Sequence, residues 1–213
     1  MARLWSAWLP DLLPQLPSCP TVLVEHELRR AAQEFFGRTR TFKVMLDPIA
    51  VLAAQEIVTV VPDDAEQELV RAEHVWYDGK EIPALTADRL SQDYGDDWPT
   101  HTGVPCAYFE DAPGSVRLYP IPTDASVTGL TCRASVRPSE TATGVPDEIG
   151  TAYRKEITSG AKYLLMMYAD KPWTNFDLAA KHGGDFEGAI GKHHALAATG
   201  YGKSRVTSRK TWC

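Results

Sequence analysis

Apolar residues in this chain change period twice, and neither an all-helical nor an all-strand fold can bury both patterns. Over residues 21–38, Val24, Leu28, Ala31, Ala32 and Phe35 fall at i, i+4, i+7, i+8 and i+11, which is one face of a helix. From Thr41 the spacing becomes alternate: Phe42, Val44 and Leu46 interleave with Thr41, Lys43 and Met45. From Asp147 the helical period returns, through Ile149, Tyr153, Ile157, Gly160, Ala161, Leu164 and Tyr168. A strand sends successive side chains to opposite faces, whereas a helix gathers every third or fourth on one face. The chain therefore reads as α+β: a helical bundle built from an N-terminal helix and a C-terminal helix hairpin, with an inserted antiparallel β-domain, sandwich- or barrel-like. The expected helical assembly domain is residues 1–40 and 139–198, the β-domain 41–138, and a basic C-terminal arm 199–213.

The β pattern is clearest over residues 107–138. Residues 106–110 and 116–121 read as strands around the turn at 111–114, where Pro113 fixes φ and Gly114 supplies freedom. Pro120 and Pro122 cannot donate ladder hydrogen bonds, so they mark an edge or a strand's end. Residues 125–137 alternate most regularly: Leu130, Cys132, Ala134 and Val136 share one face, and Thr131, Arg133, Ser135 and Arg137 share the other, expected to be wet. Upstream, residues 56–61 and 69–77 are strand candidates rich in β-branched and aromatic residues. Asp78-Gly79 signals a type I′ hairpin that returns through residues 80–82. Thr86 is the expected cap of a helical turn to Gln92. Eleven acidic residues lie between Val61 and Asp97, against Arg71, Lys80 and Arg89, and predict an acidic face.

The flanking segments carry helix punctuation. Trp5, Trp8, Leu9 and Leu12 line one face of a short amphipathic helix over residues 5–13, before Pro14, Pro17 and Pro20 impose an extended connection. Gly37 is the expected end of the next helix. The stripe that follows Asp147 contains Gly160 and Ala161, which calls for another helix at close range, and Lys171-Pro172 stops it. Thr174-Asn-Phe-Asp177 is a capping box for a last helix, whose Phe176, Ala179, Gly183, Phe186, Ile190, His193 and Ala197 step by threes and fours. A connection of a few residues makes these two an antiparallel hairpin. Gly183-Gly184 weakens the second member, by about 1 kcal/mol per glycine. After Glu187 no acidic residue occurs, while Lys192, Lys203, Arg205, Arg209 and Lys210 do. Residues 199–213 lack apolar periodicity and are expected to be disordered alone or to dock on a partner.

With 213 residues the chain can build one large domain or two small ones, and 44% hydrophobic with 23% charged residues is ordinary for a globular protein. The net charge of −6 disfavours a dedicated nucleic-acid binder, though not a protein that DNA slides past. Cys19, Cys106, Cys132 and Cys213 form no C-x-x-C pair, which fits unpaired thiols in a reducing compartment; Cys106 and Cys132 are expected to be small core residues of strands. The apolar start is broken by Pro10, Asp11 and Pro14 and lacks a small-residue cleavage site, so a cytoplasmic product is expected. Gly202-Lys203-Ser204 shares the end of a phosphate-binding loop, but Ala197 stands where its first glycine is required. His182, His193 and His194, with Asp185 and Glu187, lack the ligand spacing of a metal site. Asp93, Asp96 and Asp97 lack the calcium-loop pattern. Tyr108, Phe109 and Tyr119 are expected in a core or subunit interface rather than a stacking platform. No catalytic, cofactor or metal residue is assigned.

A fixed order of local motifs adds to this reading. Ala31-Ala32 and Phe35-Phe36 close the first helix face; Tyr108-Phe-Glu-Asp111 leads through Gly114 and Val116 to Arg117-Leu118-Tyr119-Pro120; the long strand ends at Arg137-Pro138; Val145-Pro146-Asp147-Glu148 links to a helix bearing Ala161-Lys-Tyr-Leu-Leu-Met-Met-Tyr-Ala169. Over residues 5–198 this resembles the head-to-tail adaptor (connector) proteins of tailed bacteriophages, the group that includes tail tubular protein A. The resemblance implies a non-enzymatic homo-oligomeric ring, usually a dodecamer, assembled in the host cytoplasm and placed in the virion neck. It implies the portal protein on one side and tail, nozzle or tail-tube proteins on the other. Genomic double-stranded DNA would pass through the channel without sequence-specific binding, with no cofactor and no membrane partner. In several members a C-terminal extension reaches into the portal. That makes Lys203, Arg205, Arg209, Lys210 and Trp212 the expected portal-docking arm, with Trp212 a possible packing anchor. Two other classes carry their own sequence requirements. A minor tail or baseplate binding protein would want exposed aromatics on the wet face of the long strand. A virion-associated hydrolase would want an acid–base pair in a cleft.

Overall fold

The computed structural model describes residues 2–199. Strand β1 (Ala2–Leu4) leads through a 3₁₀ turn (Trp5–Trp8), helix α1 (Leu9–Leu12) and a second 3₁₀ turn (Leu13–Gln15) to helix α2 (Thr21–Thr39). Strands β2 (Lys43–Met45), β3 (Ile49–Val51), β4 (Ile57–Thr59), β5 (Gln67–Tyr77) and β6 (Lys80–Ile82) precede helix α3 (Ala87–Tyr94). A 3₁₀ turn at Trp98–Thr100 leads to β7 (Thr102–Gly103), β8 (Ala107–Ala112), β9 (Ser115–Tyr119), β10 (Ile121–Pro122), β11 (Ser126–Pro138) and β12 (Gly144–Pro146). Helices α4 (Asp147–Ala152), α5 (Arg154–Met166) and α6 (Phe176–Thr199) follow. The chain divides into two compact units: Met1–Trp5 with Phe42–Gly150, and Ser6–Thr41 with the chain from Thr151 on.

The first unit is organised by β11. It pairs antiparallel with β5 along one edge and with β2 and β3 along the other; β6 then joins β5. A second sheet runs β4-β9-β8, and β1 with β12 and β7 with β10 form two-stranded pieces. Among the described residues no sheet closes into a barrel, which corrects the barrel-like part of the expectation. Leu130, Cys132, Ala134 and Val136 are fully buried, as alternation predicts. The opposite face is not uniformly wet. Register shifts flank Ser135, which is itself fully buried and donates to Glu73 Oε1 at 2.5 Å. The unmatched residues, Glu73 and Val70, lie in β5 rather than β11, so β11 keeps its alternation, and Glu73 stands where it can accept from the Ser135 hydroxyl. Cys106 is also exposed, because it lies before β8 rather than inside it. Asp78 and Gly79 adopt φ of 48° and 79° and close the β5–β6 hairpin.

β1 was not legible as a strand. Its register is Ala2↔Pro146, Arg3↔Val145 and Leu4↔Gly144, with an Arg3–Asp147 ion pair at 2.7 Å beyond it. A Cβ on Gly144 would meet Arg3 O at 2.2 Å, so only glycine allows this approach. Trp5 continues the attachment through Nε1–H donating to Ala142 O at 2.8 Å. The amphipathic helix expected over 5–13 is instead broken into 3₁₀ and α pieces, with Trp5 in the first unit and the buried Trp8 and Leu12 in the second.

In the second unit α2, α5 and α6 pack side by side. Val24, Leu28, Ala31, Ala32 and Phe35 are fully buried. Phe35 meets Tyr153 at 5.3 Å between ring centroids and Phe186 at 6.2 Å. α2 runs past Gly37 and ends with Arg40 in the left-handed region at φ 54°, its N–H on Phe36 O. The helix expected from Asp147 is interrupted at Tyr153, which separates α4 from α5. Gly160 faces the Phe186 ring, and Gly183 faces Tyr163, so α5 and α6 run antiparallel at glycine-permitted range. The cap of α6 is Asn175 rather than Thr174: Asn175 Oδ1 accepts from Leu178 N–H, while Thr174 Oγ1 binds the backbone of residues 168 and 171. Phe176, expected on the apolar stripe, is 56% exposed.

The two kinds of helical glycine separate in a mutational test. A Cβ on Gly160 would lie 2.7 Å from Phe186 Cε2, whereas one on Gly184 meets nothing within 4 Å. Gly160→Ala should destabilise by about 1–3 kcal/mol through overpacking, and Gly184→Ala should stabilise by about 0.5–1 kcal/mol. Urea unfolding of both variants checks the opposite signs.

Candidate functional site

The acidic stretch contributes more to structure than its sequence suggests. Glu68 pairs with Arg137 at 2.9 Å, Asp93 with Arg89 at 2.7 Å and Glu81 with His74 at 2.7 Å. Asp63 accepts from Asp47 N–H, Asp64 from Glu66 N–H, Glu66 from the Thr143 hydroxyl, and Asp78 from the Ser126 hydroxyl. With Glu73 on Ser135 and Asp97 beside His101, most of these carboxylates are tied to turns and strand ends. Their negative field stays on the surface, but their positions are fixed by the fold.

The nearest approach to an acid–base array is Asp97, His101 and Tyr119. His101 Nδ1 lies 3.0 Å from Tyr119 Oη, and Nε2 lies 3.4 Å from Asp97 Oδ2. Tyr119 is 4% exposed, and burial pushes its phenol up, with Tyr94 next in effect. A buried phenol held protonated is a poor nucleophile. Its ring packs with Trp98 at 5.9 Å and Tyr94 at 4.7 Å, in a cluster with Leu90 and Ala107. The array pins the 3₁₀ turn onto β9. Tyr108 is also buried, and its phenol is pushed up to about 12 by burial, then by Glu110. Beside it opens a groove of about 390 Å³ between β5, residues 84–86 and β8.

The histidines of α6 have separate surroundings. His193 packs against Tyr153 at 5.2 Å and Phe35 at 5.7 Å, with Glu156 Oε1 at 3.7 Å from Nε2. His194 Nδ1 lies 3.0 Å from Arg38 O. Arg38 itself makes a two-pronged bond to Glu187, at 2.6 and 2.7 Å, and a third to Glu34. That fork holds the Glu187 carboxyl below its ordinary value. Sequence reasoning missed Glu27, which falls between apolar Val24 and Leu28 and is 1% exposed. Its Oε1 accepts from Tyr168 Oη–H at 2.9 Å, and Arg30 Nη1 stands 3.6 Å from Oε2. The Tyr168 hydroxyl from the turn after α5, with the Arg30 guanidinium nearby on α2 itself, makes that carboxylate tolerable in the interior. The expected docking arm, Lys203, Arg205, Arg209, Lys210 and Trp212, lies outside the described residues.

Among the described residues no group of three or more histidine, cysteine or carboxylate side chains is placed to hold a metal ion, and no helix is long and apolar enough to cross a membrane. The family model for the SU10 adaptor protein matches residues 7–209, which takes in segments of both units. The chain belongs to the SU10 adaptor protein family. This agrees with the phage-adaptor likeness of the sequence at the level of the adaptor class. No curated protein sequence matches the chain.

Two measurements probe the polar contacts of the helical unit. Tyr168→Phe leaves Glu27 without its hydrogen bond and should cost about 1–3 kcal/mol, read as a fall in the urea midpoint. Burial, then Lys162, holds His182 below the ordinary value of 6.5. The unfolded chain therefore takes up the proton first, and stability should fall as pH drops from 6.5 toward the lower folded value. His182→Gln should flatten that part of the profile; identical profiles for the two proteins contradict it. Glu187 acts with the same sign in a lower window, since its depressed value gives stability that is lost on protonation.

Proposed function

We propose that this chain is a structural head-to-tail adaptor of the tail tubular protein A kind. Copies form a ring beneath the portal, extend the DNA channel and seat the tail. The observation that carries the reading is the family match over residues 7–209. The net charge of −6 supports it, because a negative channel wall lets DNA pass without holding it. The basic residues from Lys203 to Lys210 would contact the portal, with several subunits engaging at once.

The test is the mass of the purified protein alone and mixed with the portal protein of the same phage. The expected result is a discrete complex holding many copies of this chain per portal ring. Failure to join the portal overturns the reading, whatever the protein's state alone. Deleting residues 200–213 should weaken portal binding by at least about tenfold, as expected when several charged contacts per ring are lost together; unchanged binding removes the arm from the proposal and leaves the ring.

A further inference from the structure

Strand β6 leaves the edge of β5 after three residue pairs, Val75↔Ile82, Trp76↔Glu81 and Tyr77↔Lys80. The chain then crosses to the edge of β8. There Leu85 N–H donates to Tyr108 O at 2.8 Å, and Tyr108 N–H donates to Pro83 O at 3.0 Å. The crossing leaves two strand edges without a ladder partner among the described residues. One is β5 before Val75, on the side away from β11; the other is β8 after Tyr108, on the side away from β9. Val70 and Arg71 of the first edge and Glu110 and Asp111 of the second line the same 390 Å³ groove. Strand geometry sets the direction of the backbone there. Tyr108 turns both of its polar groups outward to residues 83 and 85, so Glu110, two residues on, turns its N–H and C=O into the groove.

We propose that this groove is a docking site for an extended, basic segment of a partner protein, which adds to the exposed edge of β8 as a further strand. An unpaired edge offers donors and acceptors at strand spacing, which extended backbone can satisfy and a helix cannot. Charge selects the occupant. Glu110 and Asp111 outnumber Arg71 in the lining, and Asp111 is exposed, with no ion pair among the described residues. Glu73 adds to the same field, since it and Glu110 both push the Tyr108 phenol up. A basic strand gains from that field and an acidic one is repelled. The bulge between Glu110 and Ala112, and Pro113 after it, keep the added strand short. Binding should be moderate and reversible. The inference rests on the two edges and holds with or without portal docking.

The probe is a fluorescein-labelled decapeptide alternating lysine and valine, titrated into the full-length protein at low salt and followed by amide exchange. Saturable binding with slowed exchange at Glu110 supports the proposal. Asp111→Lys should weaken it by about fivefold, and the same peptide N-methylated throughout should not bind. Equal binding of the methylated peptide, or protection that leaves β8 unchanged, overturns strand addition. Equal binding of a glutamate-for-lysine peptide overturns the basic occupant. A peptide of residues 200–213 is compared alongside. If it alone binds the groove, the occupant is a second copy of this chain, and the partner-protein assignment is overturned.

Discussion

The β unit depends on one strand having both edges occupied. β11 holds β5 on one side and β2 with β3 on the other, so every pairing in the larger sheet refers back to its register. A slip of one residue would turn Leu130, Cys132, Ala134 and Val136 outward and expose the whole inner row. Burying even one such side chain is worth about 1.5–3 kcal/mol for the larger types, so four in a row select a single register. The register shifts around Ser135 do not weaken that selection. They fall where the hydroxyl finds Glu73, so the polar atom brought inward is bonded there.

How much of this could be read from sequence follows from how local each cause is. The Asp78-Gly79 turn, the buried face of α2 and the inner row of β11 are written in nearest-neighbour spacing, and all three appear where periodicity puts them. β1 depends on a strand far along the chain and on the space above Gly144, neither visible in Ala2–Leu4. Asn175 displaces Thr174 as the cap of α6 because the threonine hydroxyl is drawn into the preceding turn. Phe176 fits the helical stripe but lies at the very start of α6, where its neighbours do not reach far enough to cover it. Glu27 hides within an apolar stripe because its hydrogen-bond partner, Tyr168, lies in the turn after α5, far along the chain. The groove beside β8 was equally hidden, since it exists only where β6 parts from β5.

The polar contacts of both units come in short and long spans. In the β unit, some carboxylates close turns over short spans, as Asp64 does for Glu66 and Glu110 for Gly114, and others tie strands far apart in sequence, as Glu68 does with Arg137 and Glu73 with Ser135. In the helical unit Arg38 reaches Glu34 one turn away, while Arg38 with Glu187, Arg154 with Asp11 and Tyr168 with Glu27 join segments far apart in sequence. Short-span bonds stiffen loops and helix turns, whereas long-span bonds fix one element against another. Both kinds of contact hold the shape of each unit.

The pairing of Ala2–Leu4 with Gly144–Pro146 bears on the order of synthesis. Each unit is assembled from two separate stretches of chain, and the passage between them is made more than once. Neither unit can be completed on a growing chain until the residues around Gly150 have emerged from the ribosome. β11 can meet β5 before then, but β1 must wait with an open edge while the whole β unit is made. Closing so long a loop adds little equilibrium cost, because the entropy grows only with the logarithm of its length. It does set a sequence of events: the strand made before every other described element is placed only after the last strand exists.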